Sequence, residues 1–247
     1  MPITPRHMPF LDHITELRRR LMIIAAVVFV GSMVAYAWAP WFFDVVLRPI
    51  LPLLHGQKLR WSGPFEGFGL RFKVALYMAV IFGSPVIIWQ VMAFFLPALK
   101  PKERKYVIPT FGAMVGLFAL GVFFCWSTVL GAGFGWMLSQ GWETVALLPS
   151  ASQFYQGATL LMIGFGVGFQ LPVVVFYLVV FDIVPYVKLR EQWRVVYVGL
   201  MIVASVATPD WSPVTMGALF GALVVLYELS MFLARTLLRK RIAAQKV

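Results

Sequence analysis

Two carboxylates stand among basic residues. Glu16 lies in Asp12-His13-Ile14-Thr15-Glu16-Leu17-Arg18-Arg19-Arg20, and Glu103 lies in Pro97-Ala98-Leu99-Lys100-Pro101-Lys102-Glu103-Arg104. An anionic side chain in a positive field can recognise a cation, and an arginine fork suits it best because two parallel N–H groups meet two oxygens. The same pattern also permits a plainer use. On a helix, Glu16 reaches Arg19 and Arg20 at i+3 and i+4, which gives an intrahelical ion pair. The residues alone leave both readings open.

Two further polar groups interrupt apolar runs. Glu228 sits in Leu226-Tyr227-Glu228-Leu229, two turns before Arg235. A carboxylate at the centre of a bilayer costs about 2.5–3.5 kcal/mol on insertion scales, so it should face protein or water. It reads as a polar contact in a helix groove, a protonatable group, or a partner of a basic residue at the inner interface. Gln170 sits in Phe165-Gly166-Val167-Gly168-Phe169-Gln170-Leu171-Pro172. Pro172 removes a backbone donor from the preceding turn, and an amide both donates and accepts. Gln170 is therefore a site for a polar ligand group or a cross-helix hydrogen bond worth about 0.6 kcal/mol. Gly164, Gly166 and Gly168 permit close backbone approach.

Other chemistries lack their residues. Cys125 is the single cysteine, so no internal disulfide or multi-cysteine metal site is expected. His7, His13 and His55 are scattered, and no HExxH, GxSxG or phosphate-binding Gly-Lys-Ser/Thr pattern occurs. We expect no metal, no cofactor and no catalytic group, hence no enzyme. The net charge of +11 does not point to nucleic acid, because the basic residues cluster at the ends of apolar runs, where anionic lipid accounts for them.

The elements that must position these groups are membrane spans. Of the 247 residues, 61% are hydrophobic and 13% charged, against about 25% charged in soluble domains. Runs of roughly 20 apolar residues match a hydrocarbon core about 30 Å thick. Backbone polar groups must be paired inside lipid, so the runs should be helices, giving an all-α polytopic protein with a single domain over 1–247. Six spans are expected, at about 21–38, 72–96, 107–130, 154–181, 195–207 and 214–233. Pro85 should kink the second, and Pro172 should interrupt the fourth. Gly131, Gly133, Gly135, Gly141, Pro149 and Ser150 read as an outer loop, and 182–194 as a polar inner loop. The fifth run reaches only about 20 Å at 1.5 Å per residue, less than the hydrocarbon thickness.

Orientation follows from charge. The amino end, the 97–106 loop, the 182–194 loop and the carboxyl tail hold sixteen Lys and Arg, against five on the other side. Both termini are therefore expected in the cytoplasm. Trp38, Trp41, Trp61, Trp136, Trp142 and Trp211 fall at the outer boundary, as an aromatic belt would. Arg18-Arg19-Arg20, the following apolar run and Ala35-Tyr36-Ala37 mimic a secretory leader. The run to Trp38 is longer than a leader's core, so it reads as a retained first span.

Taken together, the chain resembles the TatC family, the multispanning component of the twin-arginine protein translocase. The resemblance rests on His13-x-x-Glu16-Leu17-Arg18-x-Arg20-Leu21 and on Phe94-x-x-Pro97-x-Leu99 followed by Glu103-Arg104. It also rests on Phe165-Gly166-x-x-Phe169-x-x-Pro172, Thr208-Pro209-Asp210 and Glu228, and it covers nearly the whole chain. The resemblance implies a concave bundle with short fifth and sixth spans in the bacterial inner membrane. It implies a receptor for Arg-Arg signal peptides of folded precursors, with export driven by the proton-motive force. It carries the arginine contacts to Glu16 and Glu103, with Arg18, Pro97, Leu99 and Arg104 shaping that surface. The implied partners are TatB- and TatA-type single-span subunits and other copies of the chain. Two positions depart from the family: Gln170 stands where Glu is frequent, and Ser150 where an acidic residue is frequent. The rival reading is an ion-coupled small-solute transporter using Glu228 and Gln170; the lack of an evident internal repeat weakens it.

Overall fold

The computed structural model describes residues 10–54, 56, 58–61, 63–95, 107–141, 150–180, 184–208 and 212–237. Every regular element among them is helical, apart from one isolated parallel bridge between Arg60 and Ser150. The helices are α1 (Phe10–Ala35), α2 (Ala39–Leu47), α3 (Pro64–Phe95), α4 (Val107–Phe124), α5 (Leu130–Ser139), α6 (Ala151–Gly168), α7 (Leu171–Val180), α8 (Tyr186–Glu191), α9 (Trp193–Ala207) and α10 (Pro213–Leu237). A short 3-10 turn, Leu51–Leu54, follows α2.

Four helical stretches among the described residues are long and apolar enough to cross a membrane: Phe65–Phe94, Val107–Ser139, Ala151–Val179 and Pro213–Thr236. Ile14–Ala35 and Ala39–Leu47 meet the same criterion as a broken pair. The expected fifth span is the shorter apolar helix α9, whose 15 residues reach only about 22 Å. Apolar side chains cover much of the outer surface; Val206 on α9 is 82% exposed and Phe82 on α3 is 60% exposed. Such a surface is stable only against lipid or another apolar partner.

The boundaries differ from the sequence expectation in instructive ways. The second span starts eight residues earlier, at Pro64, and α3 continues through Pro85 without a break. The third does not stop at 130: one wide π turn at Cys125–Val129 joins α4 to α5, so Gly131, Gly133 and Gly135 are helical rather than part of an outer loop. The inserted residue of such a turn re-aims the side chains around it, and here the Trp126 indole donates to the Val45 carbonyl at 2.9 Å. The inner loop at 182–194 contains α8.

The fourth run is interrupted where proline chemistry requires it. The backbone N–H of Gln170 turns to the Val167 carbonyl at 3.0 Å, one residue tighter than an α bond. The Gln170 carbonyl then accepts from Val173 and Val174 at 3.0 and 3.2 Å, starting α7. Pro172 thus sits in the first turn of a new helix, where its missing N–H costs nothing.

The fold divides into two compact units, Met1–Pro40 with Arg71–Val115, and Trp41–Leu70 with Gly116–Val247. In the first, α1 and α3 approach through small residues; a Cβ on Gly31 would lie 3.2 Å from Ala79 Cβ. Trp89 meets Phe111 edge-on at 5.2 Å. In the second, α10 packs on α7, α9 and α5 around buried Leu219, Leu223, Tyr227 and Phe165. Two glycines allow α4 to lie against α6. A Cβ on Gly121 would stand 2.6 Å from the Phe165 carbonyl oxygen, and one on Gly166 would stand 2.7 Å from the Phe118 ring.

Candidate functional site

Glu16 lies in the second turn of α1, ahead of the apolar part of that helix. Its Oε1 accepts from Arg20 twice, from Nη2 at 2.5 Å and from Nε at 3.1 Å. The intrahelical pair expected at i+4 therefore forms. Arg20 also reaches across to α3, where its Nη1 donates to the Gln90 Oε1 at 3.3 Å. Both members of the pair are mostly withdrawn from solvent, with side chains 21% and 22% exposed. The second carboxylate oxygen, Oε2, is buried and receives no hydrogen bond among the described residues. A buried carboxylate oxygen without a donor is costly, so this atom favours an additional cationic or N–H group. Arg18 is exposed on the same helix. Pro97, Leu99, Glu103 and Arg104, the other residues expected at this surface, lie outside the described residues.

Glu228 takes the third of the roles its sequence allows. It pairs with a basic residue, but with Arg190 on α8 rather than with Arg235 on its own helix. Arg190 Nη1 donates to both carboxylate oxygens, at 2.8 and 3.0 Å, and Tyr197 Oη on α9 donates to Oε1 at 3.0 Å. Glu228 thus receives donors from two neighbouring helices. The carboxylate raises the pKa of Arg190 above its ordinary value, chiefly through the hydrogen bond and then through charge attraction. The next residue completes the junction: Tyr227, fully buried, donates its hydroxyl to the Leu189 carbonyl at 3.0 Å. Together these contacts hold α8 against α9 and α10.

Gln170 is partly buried at the α6–α7 break, with its carbonyl spent on starting α7. Nearby, Gly164 lets α6 approach the end of α9: a Cβ there would meet the Ala207 carbonyl oxygen at 2.7 Å. Ser150 has a clear local use. Its hydroxyl donates to Glu66 Oε1 at 2.9 Å, and the Ala151 N–H donates to the Arg60 carbonyl at 3.0 Å. Ser150 and Ala151 are therefore tied to Glu66, in the first turn of α3, and to Arg60. Sequence reasoning missed Gln90, Arg190 and Tyr197. Each is an ordinary polar residue whose partner is remote in the chain. No group of three or more metal-ligating side chains occurs among the described residues.

Comparison with known proteins gives a consistent result. A family model described as Sec-independent protein translocase protein (TatC) matches residues 12–222. The chain is similar to the Sec-independent protein translocase protein TatC of Carboxydothermus hydrogenoformans, 28% identical over 97% of this chain and 98% of the relative. It is likewise similar to the TatC protein of Deinococcus radiodurans, 30% identical over 92% of this chain and 86% of the relative. A crystal structure described as a twin-arginine translocase receptor, TatC, superposes with a TM-score of 0.77 at 28% identity, covering 91% of this chain and 98% of the other.

Proposed function

We propose, because this chain belongs to the TatC family of Sec-independent protein translocase proteins, that it is the signal-peptide receptor and core subunit of a twin-arginine translocase. It binds the consecutive arginines of folded precursors at the cytoplasmic face of the bacterial inner membrane. Glu16 and Glu103 take the two guanidinium groups, and Arg18, Pro97, Leu99 and Arg104 shape the surface around them. The apolar part of the signal then follows towards Gln170 and the short α9. Both termini stay cytoplasmic. TatB- and TatA-type single-span subunits, together with further copies of this chain, complete the machine, and the proton-motive force drives transfer.

The observation that supports this reading best is the Glu16 carboxylate. It already accepts a guanidinium at one oxygen and keeps the other buried and without a donor among the described residues. A planar guanidinium suits such an acceptor better than an ammonium, because its N–H directions are fixed. The experiment is site-specific crosslinking from an Arg-Arg signal peptide to positions flanking Glu16 and Glu103. Labelling at both positions is expected. Labelling confined to the segments 39–63 and 141–150 would overturn the site and the orientation together.

A further inference from the structure

We infer that Arg20 and Gln90 are positioning residues for Glu16: Arg20 occupies Oε1, Gln90 holds Arg20 in place, and together they set Oε2 as the acceptor an incoming guanidinium must use. This rests on the reading that Glu16 receives a signal arginine. The geometry supplies the rest. An arginine fork commonly spreads its donors over both carboxylate oxygens. Here Nε and Nη2 of Arg20 converge on Oε1 alone, at 3.1 and 2.5 Å. The remaining terminal nitrogen, Nη1, is held by Gln90 Oε1 at 3.3 Å from a different helix. A guanidinium held at three nitrogens anchors the carboxylate oxygen it grips.

The consequence is a half-filled acceptor. Oε1 is engaged by the chain's own arginine, while Oε2 is buried and receives no hydrogen bond among the described residues. A guanidinium arriving at Oε2 uses one face of the fork there and has donors left over for a second acceptor. An ammonium has no fixed plane to match against the held carboxylate. Gln90 therefore touches no peptide in this account. It acts through Arg20, and Arg20 acts through Glu16. Without Gln90 the guanidinium loses its tie to α3, and the carboxylate is free to rotate with its arginine.

A double-mutant cycle on the purified full chain in lipid nanodiscs tests this, with a synthetic Arg-Arg signal peptide and its Lys-Lys counterpart as probes. Gln90→Leu and Arg20→Lys should each weaken Arg-Arg binding about fivefold and narrow its advantage over Lys-Lys. In a Glu16→Gln background, Gln90→Leu should cost nothing further, which a purely structural role would not produce. Gln90→Glu, which keeps an acceptor for Arg20, should bind the Arg-Arg peptide like the parent. Parental affinity in both Gln90→Leu and Arg20→Lys, or an equal loss with and without Glu16, would overturn the inference while leaving Glu16 as the receptor residue. Unchanged binding in Glu16→Gln alone would remove the receptor site itself.

Discussion

Arg190 and Glu228 are 38 residues apart in sequence, yet one guanidinium nitrogen lies 2.8 Å from one carboxylate oxygen and 3.0 Å from the other. The contact joins α8 to the carboxyl half of α10. It also meets the requirement of a carboxylate on a membrane helix for a partner. A transporter reading needs Glu228 as an intramembrane polar site; here its donors come from α8 and α9.

Breaking that pair should loosen α8 more than it destabilises the whole. The two side chains are 55% and 40% exposed, so solvent and salt screen their attraction. Arg190→Ala is expected to shift the melting temperature little, while hydrogen exchange at 186–191 speeds up clearly. Exchange at parental rates would mean that other contacts hold α8.

Tyr227→Phe should cost more than Arg190→Ala, because it orphans the Leu189 carbonyl at a buried side chain. A loss of about 1 kcal/mol is expected. Thermal unfolding in detergent, compared directly with Arg190→Ala, reads the order of the two effects; the reverse order would contradict this assignment.

Gly121→Ala should be destabilising by about 1–3 kcal/mol, since its Cβ would fall 2.6 Å from the backbone oxygen of Phe165 and neither helix can yield cheaply. Gly112 on the same helix has nothing within 4 Å of a built Cβ, so Gly112→Ala serves as the neutral control. Equal melting temperatures for the two variants would show that α4 and α6 are not packed this closely.

Ser150→Ala removes a hydroxyl that donates to Glu66, at an expected cost of about 1 kcal/mol. Ser150→Asp should be worse, because it sets two carboxylates face to face. A melting temperature for Ser150→Asp at or above the parent would show that the Glu66 contact does not govern this position.

Much of this architecture was legible in the chain. Lipid as solvent forces long apolar helices, and run length alone located Val107, Ala207 and the short α9 to within a residue or two. Pro172 announced the break in the fourth span because it cannot donate. Gly131, Gly133 and Gly135 lie in α5 and not in the expected outer loop: glycine usually marks a turn, but beside α10 it marks close packing, and a Cβ on Gly133 would meet Thr215 at 2.3 Å. At the candidate site, Glu16 and its i+4 partner followed from helix periodicity. Gln90 and Arg190 could not, because no local spacing encodes a contact made across 70 or 38 residues.

The most direct measurement is the equilibrium affinity of the purified chain for an Arg-Arg signal peptide and for the same peptide with both arginines changed to lysine. Each is measured with the parent and with Glu16→Gln. The account predicts tight binding of Arg-Arg, weaker binding of Lys-Lys, and loss of most of that difference when Glu16 is neutralised. Equal affinity for both peptides in the parent, or full discrimination retained by Glu16→Gln, would contradict it.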